Sequence, residues 1–160
     1  MGLLGASRSN IKRSLEKYFN DRLSVFEGIS IHWEGLPFDN ASKSEWLMPR
    51  IMDFNPVFIR QGSATEYADN LNIMFSVNIF VKKSNITISG REYALRDIVV
   101  KHFRLGKTIS IYDYSSGGST EVGTMKVRDI ITDTMLPETD ELYSYNLTFL
   151  INSTVLTVEA

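Results

Sequence analysis

The sequence predicts an α+β fold: a mainly antiparallel mixed β-sheet with two helices packed on one side, in the order helix, three strands, helix, three strands. Three observations predict it. Leu71, Ile73, Phe75, Val77, Ile79 and Val81 alternate strictly, which is the pattern of a strand with one face on a core. Two other segments repeat their apolar residues at helical spacing. The remaining strand-like runs follow one another without a helix between each pair, which argues against parallel βαβ units and for an antiparallel sheet.

From Ser9 to Phe26, Ile11, Leu15, Tyr18, Phe19 and Phe26 recur on one helical face among Arg8, Lys12, Arg13, Lys17 and Arg22. Ser7 or Ser9 can cap its start and Gly28 can close its end. Ile29 to Trp33 is a short strand candidate, broken by Gly35-Leu-Pro-Phe-Asp-Asn40. Trp46 to Phe54 is a further strand, which Pro49 confines to an edge or a bulge because proline has no N–H to donate. Asn55 to Asn70 reads as a partly extended arm or long loop.

After the alternating strand, Ser89 to Arg104 returns to helical spacing, with Ala94, Leu95, Ile98, Val99, His102 and Phe103 on one face and Gly106 as its stop. This helix should lie across the sheet. Thr108 to Tyr114, Thr124 to Thr134 and Leu142 to Val158 are the closing strands, separated by a flexible Ser115–Ser119 turn and the acidic Pro137–Glu141 connection.

A chain of 160 residues fits one domain, 1–160, and can bury a core without metal or disulfide staples. Its 43% hydrophobic and 22% charged residues are ordinary globular values. A net charge of −2 gives no reason to expect nucleic acid. The absence of cysteine removes disulfides, thiolate nucleophiles and cysteine metal sites. The N-terminal apolar run is too short for a signal peptide or a membrane span, so the default expectation is a reducing cytosolic location, and the sequons at Asn40, Asn85, Asn146 and Asn152 read as chance.

No residue constellation predicts catalysis or a cofactor. His32 and His102 have no partner spacing, and His102 lies on an apolar helical face. There is no Gly-x-Ser-x-Gly nucleophile elbow, and Gly117-Gly118 lacks the Lys-Ser/Thr pair and following helix of a phosphate loop. Asp129, Asp133, Glu138, Asp140 and Glu141 could supply paired carboxylates, the requirement for acid–base work, but acidic residues around a proline more commonly form a solvated loop. The expectation is therefore catalytic residues none, metal none and cofactors none. Two features point to partners instead. The Asn55–Asn70 arm carries Val57, Phe58, Ile59 and Tyr67 without a clean strand period, and apolar arms are either buried against their own core or placed in a neighbouring subunit. The basic Lys12, Arg13 and Lys17 and the acidic Glu138, Asp140 and Glu141 are candidate opposite-sign patches.

The order of elements resembles the tail terminator, or tail completion, proteins of long-tailed bacteriophages. The resemblance is carried by the N-terminal helix, Trp33-Glu-Gly-Leu-Pro-Phe38, Trp46 opening an extended segment, the strand Leu71–Val81, one central helix ending near Leu105-Gly106, and the closing strands. It implies a homohexameric ring that caps the completed tail tube, stops tube polymerisation and offers its other face to a head-completion or neck protein. It implies a place at the head-proximal end of the virion tail, assembly in the host cytoplasm, and no membrane or nucleic-acid contact. A head–tail connector or adaptor, or a minor tail protein, would share the fold. A small enzyme with an Asp/Glu site is the reading from a different class.

Overall fold

The strict alternation at 71–81 becomes the inner face of a long central strand, and the rest of the molecule is built around it. The computed structural model describes the backbone of residues 2–5, 7–61, 66–85 and 90–158, and the side chains at these positions except 2–5, 55–61, 66–70, 85, 116 and 154–158. In chain order the elements are β1 (Gly2–Gly5), α1 (Arg8–Phe19), a π-helix (Asn20–Phe26), β2 (Glu45–Gln61), β3 (Glu66–Lys82), α2 (Arg91–His102), β4 (Thr108–Tyr112), β5 (Glu121–Met135) and β6 (Leu142–Val158). The sheet order is β2-β3-β6-β5-β4, and every pairing between these strands is antiparallel. β1 pairs with Val155–Val158 of β6, beyond the stretch that pairs with β5.

Both helices cover the same face. Ile11, Leu15 and Phe19 of α1, Leu23 of the π-helix, and Leu95, Val99 and Phe103 at α2 are buried against the inner positions of β3 and against Leu147, Phe149 and Ile151 of β6. Phe103 sits at the centre, with ring centroids 5.9 Å from Phe19, 5.5 Å from Phe75, 5.2 Å from Phe149 and 5.3 Å from Tyr18. Each such buried side chain stabilises the fold by roughly 1.5–3 kcal/mol relative to exposure. The opposite face of β3 and β6 is uncharged and polar at its centre. There the Asn146 amide donates to Ser76 Oγ at 2.9 Å and to Asn78 Oδ1 at 2.7 Å, and the Asn152 amide donates to Asn72 Oδ1 at 3.2 Å. Two of the four sequon asparagines are thus committed to cross-strand bonds.

Three sequence expectations are corrected and one strand is added. Ile29–Trp33 is not a strand; only Ile31 bridges, in parallel, to Leu47, with the His32 N–H donating to Leu47 O at 2.8 Å and the Leu47 N–H donating to Ser30 O at 3.0 Å. The Asn55–Asn70 segment, expected as a partly extended arm or long loop, instead continues β2 to Gln61 and begins β3 at Glu66, paired from Asn55↔Asn72 to Gln61↔Tyr67; residues 62–65 of that expectation lie outside the described residues. Two register shifts, between Ile51 and Asp53 and between Pro56 and Phe58, reset the phase of β2 and erase the alternation that would have marked it. The first helix is α-helical only to Phe19; residues 20–26 widen to a π-helix, ended by Gly28 at φ +73°. The strand β1 has no counterpart in the sequence reading.

β2 is an edge strand and contains Pro49, as expected of a residue with no N–H to donate. Ser7, one of the two candidate caps, closes the start of α1, its Oγ accepting the Asn10 N–H at 3.1 Å. The Ser115–Ser119 connection is a tight turn in which the Gly118 N–H donates to Asp113 O at 2.9 Å. A Cβ on Gly118 would lie 2.9 Å from the Tyr114 ring, so glycine is required there.

Candidate interaction surface

β2 and β4 are the outer strands of the main sheet path, and the sequence treats them differently. On β2 the backbone of Leu47 is bonded to Ser30 and His32, and Pro49 has no N–H to leave open. Phe38 packs on Trp46, which stacks on Phe80 at 5.4 Å, so the 28–44 segment seals this end of the sheet and leaves Trp46 only 4% exposed. At Leu47 and Pro49 this stretch of the edge resists pairing with another chain.

On β4 the register with β5 runs from Thr108↔Lys126 to Ile111↔Gly123. The Val127 N–H donates to Lys107 O at 2.9 Å. In antiparallel pairing alternate residues bond the same neighbour, so 107, 109 and 111 face β5 and Thr108, Ser110 and Tyr112 turn their N–H and C=O outward. α1 satisfies the far part of this edge: the Tyr112 N–H donates to Ser14 Oγ at 2.9 Å and the Tyr114 N–H to Asn10 Oδ1 at 3.0 Å. No such partner stands opposite Thr108 or Ser110 among the described residues.

A groove of about 680 Å³ lies along this open part. Its walls are Ser14, Tyr18 and Arg22 from the helical side and Lys107–Ser110 from the strand side, with Val25 and Phe26 beside them. Widening to a π-helix adds backbone to the turn before Gly28, and Val25 and Phe26 there are 73% and 65% exposed. Tyr18 donates its hydroxyl to the His102 carbonyl at 2.6 Å, and its ring lies within 5.7 Å of the Arg22 guanidinium and 5.9 Å of the Lys107 ammonium. Neither Arg22 nor Lys107 has a carboxylate in ion-pair range among the described residues. Lys17 is paired with Asp21 at 2.7 Å, so the uncompensated charge of the groove is positive.

The structure scatters the residues singled out in the sequence. Arg13 stacks over the Tyr114 ring at 5.5 Å, Lys17 lines the groove but is neutralised by Asp21, and the Lys12 charge opposes the burial that raises the Glu16 carboxyl. They do not form one patch. Glu138, Asp140 and Glu141 are exposed, and Glu138 pairs with Lys83 at 3.2 Å. The backbone of Val57, Phe58, Ile59 and Tyr67 is in β2 and β3, and their side chains lie outside the described residues. Arg22, Lys107, Thr108 and Ser110 were not singled out, because only the tertiary fold brings residues 22 and 107 to one ring.

The perturbed titrating groups have structural partners rather than a shared cleft. Arg96 of α2 and the Tyr145 hydroxyl of β6 both donate to the Asp133 carboxylate. The Arg96 bond holds the Asp133 carboxyl below its usual value, while burial, helped by Asp133, pushes the Tyr145 hydroxyl up to about 12. Arg91 clamps Glu45 with two bonds of 2.7 and 2.8 Å, tying α2 to the start of β2. His102 is buried, its pKa is lowered mainly by that burial, and its Nε2 stands 3.7 Å from Glu27, too far for a hydrogen bond. No group of three or more metal-ligating side chains is found among the described residues, and no helix among them is long and apolar enough to cross a membrane.

No family model matches the chain, and no curated protein matches it. Seventeen chains of solved structures do match. One superposes with a TM-score of 0.59 at 16% sequence identity, covering 93% of this chain and 96% of that one. At that identity the likeness establishes the fold alone.

Proposed function

We propose that this chain is a structural assembly protein of the tail-terminator kind, forming a ring that caps a completed phage tail tube and presents a face to the head-joining proteins. The observation that carries this reading is a mismatch of lengths. β2, β3 and β6 are 17 residues each, about 56 Å at ~3.3 Å per residue, whereas α1 and α2 are 12 residues each, about 18 Å at ~1.5 Å per residue. Paired strands therefore outrun the helices that cover them. The outreaching stretch joins β1, β2, β3 and β6 and carries Leu3, Leu4, Val57, Phe58, Ile59, Tyr67, Leu156 and Val158 in its sequence. Closed rings need one patch on each subunit to meet a different patch on the next, and such an extension supplies one of the two.

The test is the molar mass of the purified protein by light scattering across a concentration series, alone and with isolated tails. A mass of six chains, or tail-dependent assembly that blocks further tube growth, supports the reading. A chain that stays single at every concentration and does not bind tails overturns it.

A further inference from the structure

We propose that the groove beside β4 receives an extended acidic segment of another protein, which adds to the sheet as a strand at Thr108 and Ser110. This surface is separate from the sheet extension assigned to self-association, so either reading can fail without the other.

Three observations converge on it. The open stretch of edge is bounded on one side by the side-chain substitutes Ser14 and Asn10, so the N–H groups that β4 still offers among the described residues are those of Thr108 and Ser110. An added strand would bond both residues through up to about four main-chain hydrogen bonds, the mode in which extended peptides dock on sheet edges. Arg22 and Lys107 flank the Tyr18 ring without carboxylate partners, so the side of the added strand that meets them is favoured to be acidic. Exposed Val25 and Phe26 at the same groove offer an apolar contact for a neighbouring residue of that segment.

The chain's own described acidic stretch does not fit. In the 136–142 connection the Leu136 N–H donates to Ser144 O, the Thr139 N–H to Leu142 O, and Glu141 O accepts from the Lys83 N–H, so its backbone is already committed.

The experiment uses the ¹⁵N-labelled full chain and a capped peptide of alternating valine and glutamate. The expected result is shift and exchange protection at the Thr108 and Ser110 amides, weakened by salt. Ser110→Pro, which removes one edge N–H, and Arg22→Glu with Lys107→Glu, which reverses the groove, should each weaken binding by about tenfold or more. If the proline variant does not fold, the charge-reversed variant carries the test. Equal binding by a valine–lysine or backbone N-methylated peptide, shifts centred elsewhere, or no binding at millimolar peptide would overturn the proposal. Self-association of the wild type that Ser110→Pro abolishes would also overturn it, by making a second copy the occupant.

Discussion

The Ser14 hydroxyl, 3% exposed on α1, accepts the Tyr112 N–H of β4 at 2.9 Å, so a helix side chain stands where the carbonyl of a next strand would otherwise be. Replacing Ser14 by Ala leaves that N–H without its partner. The expected cost is about 1–3 kcal/mol by denaturant unfolding, with faster hydrogen exchange at Tyr112 and little change at Ile109.

Phe103→Ala should be the most damaging of the substitutions considered, at about 3–5 kcal/mol, because the ring contacts Tyr18 and Phe19 of α1, Phe75 of β3 and Phe149 of β6. Thermal unfolding checks it. A loss under about 1 kcal/mol would mean the two helices repack without their shared ring.

His102 predicts a pH dependence of defined sign. Burial lowers its folded pKa below the 6.5 of an unperturbed imidazole, opposed by Glu27 and reinforced by Lys101 and Arg22. The unfolded chain therefore takes up the proton first, and stability falls as pH drops from about 6.5 toward the folded value. His102→Gln should flatten that window in urea midpoints measured between pH 7 and 5, and an unchanged slope would assign it to other groups.

Asp133 acts at lower pH. Its carboxyl is depressed by Arg96, with help from Tyr145, so its contribution is present above the ordinary 3.8 and is lost as pH falls through the folded value. The pair is partly exposed, so Asp133→Asn should cost only about 1 kcal/mol at pH 7. The same variant should show a shallower loss of stability between pH 4 and 2.

Val57→Asp combined with Ile59→Asp separates the two roles open to the outreaching part of β2. Under the ring reading, molar mass falls to that of one chain while the unfolding midpoint moves by less than about 0.5 kcal/mol. A loss of several kcal/mol with association intact would place these residues against the chain's own core.

The strand at 71–81 was legible because nothing interrupts its period of two, and α2 because Leu95, Val99 and Phe103 keep one helical face into the core. β2 beyond Phe54 was not, since bulges at Met52 and Val57 shift its phase twice. The π-helix was hidden because its apolar spacing near Leu23 still resembles an α-helix until Val25 and Phe26 are seen exposed. The polar positions that shape the β4 edge, Asn10 and Ser14, read locally as ordinary helix surface; Ser14 is buried only because Tyr112, distant in sequence, comes to meet it.

The place of β6 in the sheet governs when the molecule can be completed. It lies between β3 and β5, and both ends of the sheet depend on it, down to Gly2 of β1 pairing with Val158. During synthesis β3, whose inner positions 71–81 are all apolar, must wait with one edge unpaired until residues 142–158 have emerged. Helices α1 and α2 are made earlier and can shield its inner face in the interval, but the edge itself is exposed to any other nascent chain of the same kind. Slowing translation before Leu142 should therefore raise aggregation of this protein at unchanged final stability.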